Sequence, residues 1–444
     1  MIKYYIKLMG LTKLLDKSKS KGSIRITLEV ASILGIFLCG HCKGLTLNEA
    51  INIGLKNNRE LLCYEKEIEK EKLHLKSLYA EFYPHISLSN SLSYSRSFKD
   101  KEKDPYSTAI SISLNQPIFK AELFPAIREQ RLSLNERYLS YKQKRQELIL
   151  NIAREYYNIK RLIEIEKELK KSFERLKKLL EIAELKYKEG YILKIDLDEA
   201  SLSLKMKEME IVENDKEIEI SKEGLKILIG ATSPIEISDF SPIELKIYDN
   251  SFILENNINI KKIKMSQERL NLSLKKINRE LFPSVSLSGS YNWQFNEKNL
   301  NKSFDNLEGD GSWAIYIKCD IPIFDGGIRK NRIKEVKLSM YENRIILEEE
   351  KDKLILSTKR LKDELENIEE RIELKKAQIR LCEERLNINT LKFKEGRSKI
   401  TDILEDEEDL LRANSSYVSV GYDHEIKKME YYREIGVLED FFED

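Results

Sequence analysis

The stretch PSVSLSGSYNWQF, residues 283–295, alternates without a break. Val285, Leu287, Tyr291, Trp293 and Phe295 fall on one side with Gly289, while Ser284, Ser286, Ser288, Ser290, Asn292 and Gln294 fall on the other. Successive side chains of a strand point to opposite faces, so this is a strand with one apolar and one hydrated face. After a polar loop a second leg returns, with Trp313, Ile315, Ile317, Cys319 and Ile321 alternating against Ala314, Tyr316, Lys318 and Asp320. The hairpin stands apart because nearly everything around it reads as charged helix.

The 444-residue chain is 34% charged with a net charge of only +1, a balance that points to long, salt-bridged helices and away from a basic nucleic-acid binder. Only 17 glycines and 8 prolines punctuate it, which favours a few very long elements over compact domains on flexible linkers. Residues 1–44 read as a signal peptide with a long basic leader: Lys13, Lys17, Lys19, Lys21 and Arg25 precede the apolar run Val30 to Gly40. That run, roughly 11 residues, is too short to span a bilayer as a helix. Cys39-Gly40-His41-Cys42 resembles a redox tetrapeptide but lacks the strand and helix such a motif sits between. Around Cys42 the residues make a poor lipid-attachment site. Cys63, Cys319 and Cys382 are scattered, so no disulfide framework follows.

Taken in order, residues 45–230 form one unit. Thr46 to Glu49 read as a capping box opening a helix toward Phe82, and a hairpin over 84–119 sets Ile86, Leu88, Leu92 and Tyr94 against serines and returns with Ile110, Ile112 and Leu114. A long helix from about Ala126 carries Leu162, Leu169, Phe173, Leu176 and Leu180 as a coiled-coil stripe. It ends at a tip turn, 189–196, where Gly190 suits a left-handed cap. Asp196 is expected as N-cap of the next helix, with Glu199 at its third position. Residues 231–250 read as an irregular connector.

Residues 251–436 repeat this plan at an offset close to 206, with a helix from about Asn257, a hairpin over 283–324, a long helix after Asp325-Gly326-Gly327 and a tip turn over 395–402. Lys392-Phe393-Lys394-Glu395-Gly396 matches Lys186-Tyr187-Lys188-Glu189-Gly190, and Asp402 and Glu405 fall where Asp196 and Glu199 fall. Residues 437–444 are a short tail. Each long helix, on the order of 63 to 69 residues, spans roughly 95–104 Å, and two flanking helices stacked end to end nearly match it.

The four strands need a dry neighbour for one face. A soluble sandwich supplies it by packing two sheets together, an outer-membrane barrel by facing lipid. The aromatic residues favour lipid. Trp293 and Trp313, the only tryptophans, lie near one end of their hairpin, and Tyr83, Phe119, Phe282 and Phe324 lie at the opposite end, as two interfacial belts. Four strands are too few to close a lipid-spanning barrel, so the membrane reading requires several chains.

These features resemble the TolC family of outer-membrane efflux ducts over nearly the whole mature chain. The likeness is carried by LTLNEAINIGLKNN, FYPHISLSNSLSY and FPSVSLSGSYNW, QPIF and IPIFDGG, and the tip turns YKEGYILKIDLDEA and FKEGRSKITDILEDEE. It implies a homotrimer, mainly α with membrane β, in which four strands per chain build a twelve-stranded barrel continued by a long periplasmic α-helical barrel. It also implies outer-membrane lipid around the sheet, a periplasmic adaptor, and an inner-membrane RND or ABC transporter as partners, with neither cofactor nor catalysis.

By the same resemblance Asp402, Glu405 and Asp196 belong to the periplasmic constriction, where three-fold symmetry would gather carboxylates into a cation-preferring ring. Gly190, Leu193, Gly396, Arg397, Ser398 and Lys399 form the tip turns that meet the adaptor. A tyrosine and an arginine that lock the mouth in related ducts fall at Phe393 and Ser398, which points to Arg397 or Lys399 as substitutes. The expected function is passive export of drugs or other small molecules. A duct for protein secretion through an ABC transporter is the alternative, and a soluble coiled-coil scaffold is the alternative of a different class.

Overall fold

The computed structural model describes residues 44–94, 106–238, 242–297 and 310–442. The leader, with Cys39 and Cys42, lies outside the described residues apart from Gly44. The chain divides into two units. The small one includes Leu45 and residues 234–238, which form a parallel bridge: the Leu45 amide donates to the Glu236 carbonyl, and the Ser238 amide to the Leu45 carbonyl at 3.1 Å.

The large unit carries everything else. Its elements are α1 (Leu47–Asn57), α2 (Arg59–Ala80), β1 (His85–Tyr94), β2 (Tyr106–Phe119), α3 (Leu123–Lys188), α4 (Lys194–Ile229), α5 (Asn250–Asn256), α6 (Ile258–Arg279), β3 (Ser284–Glu297), β4 (Asp310–Asp320), α7 (Ile328–Lys394) and α8 (Ile400–Ile435), with a final 3₁₀ turn (Leu438–Phe441). The helices α3 and α7 hold 66 and 67 residues. Each is therefore about 100 Å long. The stripe leucines do their expected work, since Leu169, Leu176, Leu354, Leu365 and Leu386 are all buried.

The flanking helix expected to run unbroken toward Phe82 is cut near its start, and the one expected from about Asn257 begins there, with the short helix α5 just ahead of it. The first stops at Asn57 and restarts at Arg59, while α5 stops at Asn256 and α6 starts at Ile258. The cause is an asparagine at each break. The Asn58 side-chain oxygen accepts from the Glu60 and Leu61 amides, and that of Asn257 accepts from the Ile260 amide. This is ordinary N-capping, which a backbone turned out of helical geometry makes available. Each asparagine also donates through Nδ2 to a last-turn carbonyl of a different helix, Asn58 to Leu228 of α4 at 3.1 Å and Asn257 to Glu434 of α8 at 2.8 Å. So α4 abuts α2, and α8 abuts α6, end to end beside the unbroken helices.

The offset between repeats also needs refinement. Asn58 and Asn257 are 199 positions apart, whereas Gly190 and Gly396 are 206 apart, because the second hairpin is longer.

The mid-length core is aromatic. Tyr156, Tyr157, Tyr431 and Tyr432 are wholly buried. Residues 243–248 lie across α8: the Lys246 amide donates to the Tyr432 hydroxyl at 2.7 Å, the Tyr248 amide to the Tyr431 hydroxyl at 3.0 Å, and the Tyr432 hydroxyl to the Glu244 carbonyl at 2.7 Å. The connector thus has no regular structure there but spends its backbone groups on tyrosine hydroxyls, as buried polar groups must.

Candidate functional site: the membrane sheet and the helix tips

The four strands make one antiparallel sheet in the order β1-β2-β3-β4. Its register sorts the side chains by face. Leu88 lies opposite Ile112, Ile112 opposite Tyr291 and Tyr291 opposite Trp313, so one row across the sheet is wholly apolar. The adjacent row runs Ser89, Ser111, Asn292, Ser312. Ser87 and Ser113 hydroxyls meet at 2.7 Å on this hydrated face. The apolar face has no protein cover: Leu88 is 71% exposed, Trp313 73% and Ile317 69%. Both β1 and β4 are open edges. Lipid tolerates neither bare edges nor a hydrated outer face, so the apolar face is the lipid side and neighbouring chains pair the edges.

The belts stand at the two ends of this face. Trp313 faces Tyr291 across the β3–β4 pair, and the Tyr291 and Trp293 rings meet edge to face at 6.2 Å. At the helical end Tyr83, Phe119, Phe282 and Phe324 are exposed, Phe324 at 88%.

At the far ends of α3 and α7 sit the tip turns. Both close by the same bond pattern. The Tyr191 amide donates to the Lys186 carbonyl and the Arg397 amide to the Lys392 carbonyl, each at 2.8 Å, with Gly190 and Gly396 at φ of 78° and 77°. Such a six-to-one closure satisfies helix-end carbonyls and requires a left-handed residue at the glycine.

The expected N-caps are shifted by one turn. Leu193 and Lys399, not Asp196 and Asp402, are the N-cap residues of α4 and α8. The aspartates stand three residues inside and reach back, Asp196 accepting from the Leu193 amide at 2.9 Å and Asp402 from the Lys399 amide at 3.1 Å. This is the acidic half of a capping box, with no side-chain acceptor at the cap itself. The Ser398 hydroxyl also donates to Asp402 at 2.9 Å. These two bonds, the hydroxyl first, hold the Asp402 carboxyl below its usual range.

Phe393 is buried between the helix pairs with Leu176, Ala183, Leu386, Ile400 and Ile403. Lys186 lies over its ring at 5.2 Å and donates to the Lys394 carbonyl at 3.1 Å, so the first tip turn holds the second. Among the described residues Arg397 pairs with Glu395 at 3.3 Å, and neither Arg397 nor Lys399 forms an ion pair with Asp196 or Asp402.

The residues that sequence reasoning missed lie one turn up α8. In the run Glu405-Asp406-Glu407-Glu408-Asp409, Arg385 takes Asp406 at 2.6 Å, Arg175 takes Glu407 through both its Nε and Nη2, and Lys207 takes Glu408 at 3.2 Å. Arg385 also binds Asp409. Only Glu405 of the five is exposed and without an ion pair among the described residues. It lines an open groove with Ser203, Met206 and Arg412. The signal was present in the acidic run, but Arg175, Lys207 and Arg385 come to it from α3, α4 and α7, far from it along the chain.

An uncovered apolar sheet with hydrated lining, continued by paired long helices, defines one wall segment of an outer-membrane channel. Residues 50–231 match the outer membrane efflux protein family. The probable outer membrane lipoprotein SilC of Salmonella typhimurium is 17% identical over 403 residues, 88% of this chain and 85% of that protein. Among solved structures, the outer membrane protein VceC of Vibrio cholerae superposes with a TM-score of 0.71 at 17% identity, covering 88% of this chain and 96% of that one. The CmeC outer membrane channel of Campylobacter jejuni gives 0.72 at 18%, covering 88% and 85%.

Over residues 50–231 the chain matches the outer membrane efflux protein family, and its likeness to the TolC-family channels extends over 88% of its length. It is a passive channel subunit and not an enzyme. Its fold is that of the trimeric channels, four strands per chain in a twelve-stranded barrel continued by an α-helical barrel, and it resides in the outer membrane with its helices in the periplasm. The soluble-scaffold alternative is thereby set aside.

Proposed function

We propose that the chain is the exit duct of a tripartite efflux system, through which drugs or other small molecules pass after an inner-membrane RND or ABC transporter delivers them by way of a periplasmic adaptor. The match of residues 50–231 to the outer membrane efflux protein family supports an exit duct, and a duct for protein secretion is the alternative that the experiment below separates from it. The tip turns around Gly190 and Gly396, with Leu193, Arg397, Ser398 and Lys399 exposed or half-exposed beside them, supply the adaptor-facing surface. Asp402 and Glu405, with Asp196, line the mouth. Asp402 is tied to its own helix start, so its charge is fixed in place, while Glu405 is the free carboxylate that meets permeating cations.

Cells lacking the chain are expected to accumulate an efflux dye such as ethidium several-fold above the parent, and the restored gene should reverse this. Unchanged dye accumulation, together with loss of a protein from the culture medium, would replace this reading with secretion.

A further inference from the structure

Where the lipid face of the sheet meets the helices, Phe119, Ala121, Phe124, Arg128, Arg279 and Phe282 line a groove of about 410 Å³. Phe119 pairs with Val285 in the β2–β3 register, which puts it on the same face as Leu287 and Ile317. The groove therefore continues the surface that lipid covers. Phe124 and Arg128 are one helical turn apart on α3. Arg279 closes α6, and the Phe282 amide donates to its carbonyl at 3.0 Å. Because α3 and α6 pack together, two helices present one guanidinium each to a single aromatic groove.

The charge in this groove is unanswered. No carboxylate lines it. Four basic residues of the neighbouring segments are engaged: Lys120 with Glu81 at 3.9 Å, Arg131 with the Tyr79 hydroxyl, Arg329 with Asp325 at 3.9 Å and Arg332 with Glu280 at 2.8 Å. Arg128 and Arg279 make no side-chain hydrogen bond or ion pair among the described residues. In a chain with nearly equal numbers of acids and bases, two unpaired guanidiniums on one apolar groove call for an anion.

We propose that this groove seats a glycerophospholipid of the periplasmic leaflet. Arg128 and Arg279 hold its phosphodiester by charge-assisted, two-pronged hydrogen bonds, and Phe119, Phe124 and Phe282 border the glycerol and the first acyl carbons. The leaflet follows from the position at the helical end of the sheet, opposite the end that carries Trp293 and Trp313. The occupant is a lipid and not a free anion because the three rings, each 40% or more exposed, would otherwise face water. This inference rests on the lipid-facing sheet and is independent of the exported cargo.

The test uses the purified full-length trimer in detergent, titrated with dioctanoyl phosphatidylglycerol and followed by native mass spectrometry. The wild type should bind up to one lipid per chain, and Arg128→Gln with Arg279→Gln should weaken binding about tenfold or more. Arg128→Lys with Arg279→Lys should lose less, because lysine still holds phosphate as a point charge. Arg332→Gln should leave binding unchanged. The same spectra show whether each variant remains a folded trimer. Equal lipid binding by the double glutamine variant would overturn the proposal. So would competition by inorganic phosphate at equal concentration, which would make the groove a free-anion site. Dissociation of the glutamine variant to monomers would also overturn it, by assigning the arginines to a carboxylate of the neighbouring chain.

Discussion

The two long helices are near copies in length and in stripe, yet they live differently. Along α3 18 residues are buried, nine of them between Leu148 and Lys160, whereas along α7 only eight are. The reason is position. α3 packs on α1, α2, α4, α6 and α8, while α7 has mainly α6 and α8 beside it. Equal sequence patterns thus mark one helix that runs through the middle of the chain and one that stands at its edge. The uncovered side of α7 is not polar: Leu374, Leu381 and Leu391 are each more than 60% exposed. In a barrel closed by three chains, this is the side that a second copy covers.

That contrast can be broken most sharply at its core. Tyr157→Ala, at a wholly buried position on α3, is expected to cost about 3–5 kcal/mol, as other large aromatic truncations do, and to lower the denaturant midpoint of the subunit. Leu381→Ala on α7 should shift that midpoint by about 0.5 kcal/mol or less and instead reduce the trimer fraction in mild detergent. If Leu381→Ala destabilised the fold as Tyr157→Ala does and left the trimer intact, α7 would not be an edge.

The glycines after α7 and α8 sharpen the comparison between tip and mid-length core. Gly436 sits at φ 93°, and a Cβ there would come within 2.8 Å of the Asn256 carbonyl oxygen. Gly396 has a similar backbone, but nothing lies within 4 Å. Gly436→Ala should therefore cost about 3 kcal/mol and Gly396→Ala about 1 kcal/mol, read from thermal or chemical unfolding. Equal costs would mean that the α8–α6 junction yields more readily than its packing indicates.

A smaller effect separates the two tips. Asp402→Ala with Glu405→Ala is expected to weaken divalent-cation block of single-channel current several-fold, whereas Asp196→Ala with Glu199→Ala should change it less. Because the Asp402 carboxyl titrates below its usual range, its charge persists as pH falls and is lost only below the ordinary carboxylate range. Block that is unchanged in the first variant would remove Asp402 and Glu405 from the constriction.

Much of this was legible in the chain itself. Period-two alternation in residues 283–295 settled the faces of β3, and the serine rows followed because register couples every strand to its neighbour. The seven-residue stripes gave α3 and α7 their length. What escaped was local competition at helix starts. Asp196 and Asp402 look like caps, but their carboxylates reach back to the preceding turn, so Leu193 and Lys399 occupy the cap positions that residue preference alone would deny them. The Arg175, Lys207 and Arg385 network escaped for another reason, since ion pairs between distant helices leave no periodic trace.

Asn58 and Asn257 bear on how such helices stay in step. An unbroken α-helix held to a seven-residue stripe drifts by about 20° per heptad unless it supercoils. Over the length of α3 or α7 that drift would carry a stripe well around the helix. Their partners are not unbroken: α4 passes to α2, and α8 to α6, through a single asparagine that grips both sides of the joint. Each joint restarts the helical phase half-way along, so the spliced strut can re-aim its apolar side at the continuous one without winding further.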